Sequence, residues 1–180
     1  MRFLISTCFA VILAASLTAC QEEDVAELPP PVPLTQEPVG YYCSMTVADH
    51  HGPKGQIRLK SQDKPIWFSS VRDTITFTLL AEEPKDILVI YVTDMSKTGS
   101  WENPKNNDWI EAKSALFVTG SSKNGGMGAP EPVPFASKEA AETFVKQFGG
   151  KIVAFLDISD GSSLGPVEIS DIPRNKDNGG

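Results

Sequence analysis

Short apolar runs separated by polar connections predict a chain built mainly from short strands. The clearest run is Ile-Leu-Val-Ile-Tyr-Val at residues 87–92, which is continuous and therefore typical of a strand buried on both faces. Turn-forming residues bound the other apolar segments. They predict strands at residues 56–60, 65–68, 109–119 and 151–158.

Two segments show helical spacing instead. The first follows Ser70, a predicted N-cap, begins at Val71 and must end before Pro84. The second follows Ser137, also a predicted N-cap. Its apolar stripe is Ala141, Phe144, Val145 and Phe148.

The two halves of the chain resemble each other. Residues 65–70 (Pro-Ile-Trp-Phe-Ser-Ser) match residues 132–137 (Pro-Val-Pro-Phe-Ala-Ser) at an offset of 67, and Phe77 falls on Phe144 at the same offset. In both halves a predicted helix is followed by a predicted strand. Self-similarity of this kind indicates an internal structural repeat.

We therefore predict an α+β fold of two small similar strand-strand-helix-strand (ββαβ) units in tandem. The first unit spans residues 39–96 and the second residues 109–171, joined by a polar connection at 97–108. The last residues, 172–180, are predicted to form a mobile tail.

The N-terminus carries a targeting signal. Arg2 precedes an apolar run that is shorter than the ~20 residues of a membrane span and ends in Leu-Thr-Ala-Cys at residues 17–20. This ending looks like a bacterial lipobox, which implies removal of residues 1–19 and acylation of Cys20. The resulting protein would be exported and anchored by lipid.

A proline-rich and acidic segment follows the predicted lipid anchor. Residues 20–38 include Pro-Pro-Pro-Val-Pro and favour an extended polyproline II conformation, so we predict a tether. Its eighteen residues after Cys20 could reach up to about 55 Å at ~3.1 Å per residue.

The overall charge narrows the possible partners. The chain has 16 basic and 23 acidic residues, a net charge of -7, and no cluster of Lys and Arg. Nucleic-acid binding needs a basic surface, so nucleic acid is not an expected partner. A lipid membrane is expected only through acylated Cys20.

Cysteine usage points to one thiol of interest. Of three cysteines, Cys8 lies in the signal segment and Cys20 carries the predicted lipid, which leaves Cys43 as the only thiol of the mature chain. No intramolecular disulfide is then possible. An unpaired thiol in an oxidising compartment is explained by burial, by intermolecular pairing or by a bound metal.

A second sulfur lies two residues from this thiol. If residues 41–45 are extended, Cys43 and Met45 point to the same face with Cα atoms roughly 6.6 Å apart. Soft sulfur ligands select Cu(I). Met127, held between two glycines in a predicted loop, is the natural third ligand, although a methionine can also fill a gap in a core.

Other readings of these residues stay open. His50 and His51 could complete a metal site, or they could simply occupy an exposed glycine-rich turn. With Asp49 and Cys43 they could bind zinc, although structural zinc sites usually combine two ligand clusters. Cys43 with His50 as base would make a Cys-His hydrolase. A metal-free structural or adaptor lipoprotein with a buried thiol is the remaining alternative.

Taken together, these motifs resemble the NosL family of lipoprotein copper chaperones that serve maturation of nitrous oxide reductase. The resemblance covers roughly residues 41–158. It is carried by the lipobox at Cys20, Cys-Ser-Met at 43–45, Ile-Tyr-Val-Thr-Asp-Met at 90–95, and Met-Gly at 127–128 ahead of a Pro-Phe and helix block.

The resemblance implies two ββαβ-type halves similar to parts of organomercurial lyase, and Cu(I) delivery in the periplasm through a membrane ABC-type assembly complex. Cys43, Met45 and Met127 match the family's sulfur ligands. Lyase chemistry needs more than one thiol, so we expect no enzyme. Gln21 after the lipidated cysteine is consistent with sorting to the outer membrane.

Overall fold

A computed structural model describes residues 27–97, 100–102, 104 and 107–158. The predicted signal segment, the predicted acylation site Cys20 and the predicted tail at 172–180 lie outside these residues. Within the described part, no helix has the length and apolar character needed to cross a membrane.

The first sheet has four antiparallel strands in the order β2-β1-β3-β4. Its central pair is β1 with β3, in which Ile57 lies opposite Ile90 and Gly55 opposite Val92. The alternation of apolar side chains gives this sheet one face for a core. The strands are β1 (Gly55–Leu59), β2 (Ile66–Phe68), β3 (Ile87–Thr93) and β4 (Trp109–Glu111).

Helix α1 (Val71–Leu79) begins where its cap predicts. Ser70 adopts an extended conformation and its side chain accepts a hydrogen bond from the backbone N–H of Asp73, which satisfies one free donor of the first turn. The β-branched residues that weaken its helix propensity are offset by burial, because Val71 and Ile75 pack in the core.

The second sheet has three antiparallel strands in the order β6-β5-β7. Its strands are β5 (Leu116–Thr119), β6 (Val133–Phe135) and β7 (Lys151–Ala154). Helix α2 (Lys138–Phe148) packs on this sheet and starts at Ser137, whose hydroxyl accepts from the N–H of Ala140. Gly149 and Gly150 end it with positive φ angles, as glycines commonly do at helix C-termini.

The main core joins the two sheets. Phe68 and Phe77 from the first half pack at 5.5 Å between ring centroids, in the same buried cluster as Phe117 and Ile158 from the second half. A smaller cluster lies between the second sheet and α2 around Val118, Val133, Phe135 and Ala141. Both halves therefore share one hydrophobic core.

These features confirm the predicted α+β class. The order strand-strand-helix-strand occurs twice along the chain, and in each sheet the first strand of the set is the central one. The division into two tandem units stays a prediction.

The predicted strand over 109–119 is wrong as a single element. β4 pairs with β3 in the first sheet, a 3-10 helix (Ala112–Ser114) turns the chain, and β5 then enters the second sheet. The predicted second unit thus starts with three residues of the first sheet. Continuous hydrophobicity reports burial but not which sheet a segment joins.

The predicted strand over 151–158 is also shorter than expected. β7 ends at Ala154 and lies at an edge of its sheet with its terminal residues exposed, and a 3-10 helix (Phe155–Asp157) follows. A buried strand was the wrong expectation for this segment, because its apolar residues are divided between an edge strand and a turn.

Part of the predicted tether is bound to the fold. The buried Gln56 side chain exchanges two hydrogen bonds of 2.9 Å with the backbone N–H and C=O of Val32, and the Tyr91 hydroxyl donates to the carbonyl of Pro29 at 3.0 Å. Leu34 is buried. A polyproline II backbone has unpaired polar groups, and here side chains of the first sheet bind them.

Candidate metal centre

The Cys-Ser-Met segment forms a tight turn, not the extended strand assumed from the sequence. A single antiparallel bridge joins Val39 and Thr46, and Gly40 N–H donates to the carbonyl of Met45 at 2.9 Å. Ser44 has φ of 55°, a left-handed conformation that few non-glycine residues adopt. Cys43 and Met45 therefore belong to one hydrogen-bonded loop, and the same-face argument from an extended strand does not apply to them.

The Cys43 thiol is half-buried beside two small residues. Its Sγ lies 3.3 Å from the hydroxyl of Ser69, and the two atoms share a hydrogen bond. A Cβ on Gly40 would lie 2.5 Å from this sulfur, so glycine is required there to leave room for it. The hydrogen-bond partner of the thiol is a serine, not the histidine base of a hydrolase.

Met45 and His50 line one shallow cavity of about 390 Å³. Met45 is 43% exposed, which leaves its thioether accessible from solvent. His50 follows a short 3-10 helix (Val47–Asp49) whose Val47 is fully buried and fixes the start of the turn. The cavity is completed by Val39, Ser44, Thr46 and Asp49.

Met127 lies at the tip of a loop from the second half. The loop is closed by a bridge between Asn124 and Pro130 and by two backbone hydrogen bonds, Gly125 N–H to Ala129 at 2.8 Å and Gly128 N–H to Gly125 at 2.9 Å. Met127 is 47% exposed, so it fills no gap in the core.

This loop packs directly on the histidine turn. A Cβ placed on Gly126 would lie 2.6 Å from Cβ of His50, 3.1 Å from its Nδ1 and 3.1 Å from the carbonyl oxygen of His51. The residue beside Met127 thus contacts His50, which itself shares a cavity with Met45. A loop of the second half therefore lies against the turn that follows Met45 in the first half.

A buried lysine supports the histidine turn from below. The Nζ of Lys54 donates to the carbonyls of His51, at 3.2 Å, and Gly52, at 2.6 Å, and the residue is only 1% exposed. Burial lowers the pKa of Lys54 to about 8, although the nearby Glu131 opposes this. The sequence alone predicts an exposed charge for Lys54, because it lies in a Gly-Pro-Lys-Gly turn.

Glu131 is a second buried residue of this region whose structural role the sequence did not predict. Its Oε1 accepts hydrogen bonds from the backbone N–H groups of Val71, at 2.6 Å, and Arg72, at 3.2 Å, in the first turn of α1. Burial raises the pKa of Glu131 to about 8 against the lowering effect of these two bonds and of Lys54. Its place between two prolines in sequence gives no periodic signal.

Two tyrosines lie next to the thiol and share one carboxylate. The hydroxyls of Tyr41 and Tyr42 donate to the two oxygens of Glu83 at 3.1 and 2.8 Å. The hydrogen bond to Glu83 raises the pKa of Tyr41, and burial followed by the same kind of bond raises that of Tyr42. Both rings pack on Phe68, which anchors the Cys-Ser-Met turn on the core.

The structure thus brings Cys43, Met45, His50 and the Met127 loop onto adjoining segments. His51 contributes its backbone carbonyl to this arrangement. Among the described residues, no group of three or more His, Cys, Asp or Glu side chains is placed to hold a metal ion. Met45 and Met127 are both exposed at this surface, and soft sulfur donors suit Cu(I).

Fold and site together define a small α+β protein that presents thiol and thioether groups on surface turns. A family model described as NosL matches residues 31–163. The chain belongs to the NosL family, as its motifs indicated.

Named relatives agree with this assignment. The chain is 45% identical over 171 residues to a copper-binding lipoprotein NosL of Achromobacter cycloclastes, with 93% of this chain and 88% of that protein aligned. It is 34% identical over 153 residues to the copper-binding lipoprotein NosL of Stutzerimonas stutzeri, aligning 84% and 78%.

A solved structure is similar as well. The crystal structure of the copper chaperone NosL from Shewanella denitrificans matches with a TM-score of 0.69 and 34% identity, covering 74% of this chain and 99% of that one.

Proposed function

We propose that this protein is a lipid-anchored Cu(I) chaperone of the periplasm. The observation that supports the proposal is the packing of the Met127 loop against His50, which shares a cavity with Met45, in a chain whose relatives are named copper-binding lipoproteins and a copper chaperone. Cu(I) is the cargo, bound by Cys43 and Met45 with Met127 or His50 completing the site.

The donor set suits an ion that must be released. A thiolate supplies charge and strong donation, while the two thioethers are neutral and carry no proton in the working pH range. Met45 and Met127 are 43% and 47% exposed, so a partner's sulfur or imidazole can approach the ion before these bonds break. Copper then passes by ligand exchange without a free ion.

The proposed destination is the assembly machinery of nitrous oxide reductase, reached through a membrane ABC-type complex. Acylation of Cys20 would keep the chaperone at the membrane, and we place it on the outer membrane. The names of the lipoprotein relatives support an anchored protein.

Anaerobic titration with Cu(I) against a competing chelator tests the proposal. Cys43→Ala is expected to weaken Cu(I) binding by more than about 100-fold, and Met127→Ala by about 10- to 100-fold. Met95→Ala is the matched control, because this half-buried methionine packs on the smaller cluster. Unchanged affinity in Cys43→Ala with an intact fold would overturn the proposal.

The same variant tests delivery in cells. Nitrous oxide reductase purified from cells that carry only Cys43→Ala is expected to lack most of its copper, measured by elemental analysis. A full copper content would argue against the proposed destination while leaving copper binding untouched.

A further inference from the structure

Glu131 joins the two halves of the molecule. It belongs to the second half, is 3% exposed, and binds the backbone N–H groups of Val71 and Arg72 at the start of α1 in the first half. Its hydrogen bonds therefore connect the two halves at the first turn of α1.

The same carboxylate also supports the Met127 loop. A Cβ on Gly125 would lie 2.0 Å from Oε2 of Glu131, so the loop backbone passes directly over this oxygen. The Glu131 backbone N–H closes the loop by donating to the carbonyl of Lys123 at 3.4 Å. The other side of the loop rests on His50 through Gly126.

The cost of burying this carboxylate argues that its position matters. Oε2 is buried and has no hydrogen-bond partner in the part of the chain that the structure describes. A buried oxygen without a partner carries its full desolvation cost, and a residue that caps α1 with a single oxygen would avoid that cost. Lys54, the other buried titratable residue in this region, donates hydrogen bonds to the backbone carbonyls of the histidine turn.

We propose that Glu131 is a positioning residue for copper binding, which fixes the Met127 loop against His50 by bonding the N-terminus of α1. The inference rests on the proposed function and extends it, because it makes the third sulfur ligand depend on a contact between the halves. Glu131 itself touches no metal in this account.

Copper affinity and the number of sulfur neighbours test the proposal together. Glu131→Ala is expected to reduce Cu(I) affinity by about 10- to 100-fold, as Met127→Ala does. X-ray absorption at the copper edge is expected to lose one sulfur neighbour in both variants. The double variant should be no weaker than either single variant, because both act on the same ligand.

Three further variants separate positioning from general stability. Glu131→Gln keeps an acceptor oxygen for the α1 N–H groups and is expected to restore the affinity. Gly125→Ala places a methyl group 2.0 Å from Oε2 and so forces the loop and the Glu131 side chain apart, and it should reproduce the loss even if Glu131→Ala fails to fold. Glu142→Ala, which removes an exposed carboxylate on α2, is the control and should bind normally.

The outcomes distinguish the two proposals. Normal affinity and an unchanged sulfur count in folded Glu131→Ala and Gly125→Ala, with Met127→Ala impaired, would overturn the positioning role alone. Copper binding that does not need Cys43 would overturn the proposed function, and the positioning role with it.

Discussion

At the scale of single residues, small residues beside Cys43 and two buried titratable side chains support the candidate metal centre. Gly40 and Ser69 make room for the Cys43 sulfur, and the left-handed Ser44 turns the chain between the two sulfur-bearing residues. Lys54 and Glu131 fix the segments on either side. Two of the proposed ligands are therefore neighbours in sequence, while the residues that support the site are distant in sequence.

The two buried titratable side chains predict an unusual pH dependence of stability. The pKa of Glu131 is raised from 4.5 to about 8, so the folded state binds this proton more tightly than the unfolded state does. The stability gained from this tighter proton binding is lost as pH rises from 4.5 through 8. The pKa of Lys54 is lowered from 10.5 to about 8, so its contribution is lost as pH falls from 10.5 through 8.

Denaturant unfolding of the metal-free protein at a series of pH values checks this prediction. Relative to wild type, Glu131→Gln should remove a fall of up to about 1.4 kcal/mol per pH unit between pH 4.5 and 8. Lys54→Met should remove the corresponding rise above pH 8. Parallel curves for wild type and Glu131→Gln would contradict the assigned burial effect.

At the scale of elements, the two helices are capped alike but supported differently. Ser70 and Ser137 each accept a hydrogen bond from the N–H three residues on, at the offset of 67 found in the sequence. Helix α1 also receives Glu131 at its first turn and buries four residues, whereas α2 buries only Ala141. The sequence repeat therefore extends to the helix caps, whereas the two helices differ in how they pack.

Removing each cap should have a similar local cost. Ser70→Ala and Ser137→Ala are each expected to lower the free energy of unfolding by about 1 kcal/mol, because one N–H of the first turn loses its acceptor. Chemical denaturation measures this, and Ser137→Asp at the more exposed cap should recover most of the loss there. A loss of unfolding free energy below about 0.3 kcal/mol would show that water fully replaces the serine hydroxyl as acceptor.

These caps also show how much of the fold the sequence predicts. The start of α1 at Val71 was predicted correctly, because a cap depends on residues three positions apart. The strand at 109–119 was not, because its division between sheets depends on partners elsewhere in the chain. The turn at 41–45 was also misjudged, since an isolated sequence gives no sign of the φ of Ser44.

At the scale of the whole molecule, one core connects both halves. Phe117 of β5 is fully buried in the cluster that contains Phe77 and Val92, and its ring packs against Phe155 at 5.9 Å between centroids. The segment from Pro29 to Leu34 adds further contacts to the first sheet. Any free tether is therefore shorter than the eighteen residues first considered.

A shared core predicts cooperative unfolding. Phe117→Ala is expected to cost about 3–5 kcal/mol, because it opens a cavity between the two sheets. Far-ultraviolet circular dichroism and tryptophan fluorescence should report one coincident transition in wild type and variant. Separate transitions for the two probes would mean that the halves unfold independently.

The sequence alone determined the α+β class, both helix starts and the central strand β3, because each depends on neighbours a few positions away. Tertiary structure alone decided that β4 joins the first sheet, that Val32 binds Gln56, and that the Met127 loop rests on His50. These contacts join distant segments whose pairing depends on shape and burial across the whole chain. Lys54 and Glu131 belong to the second group, since a charge reads as exposed until the fold encloses it.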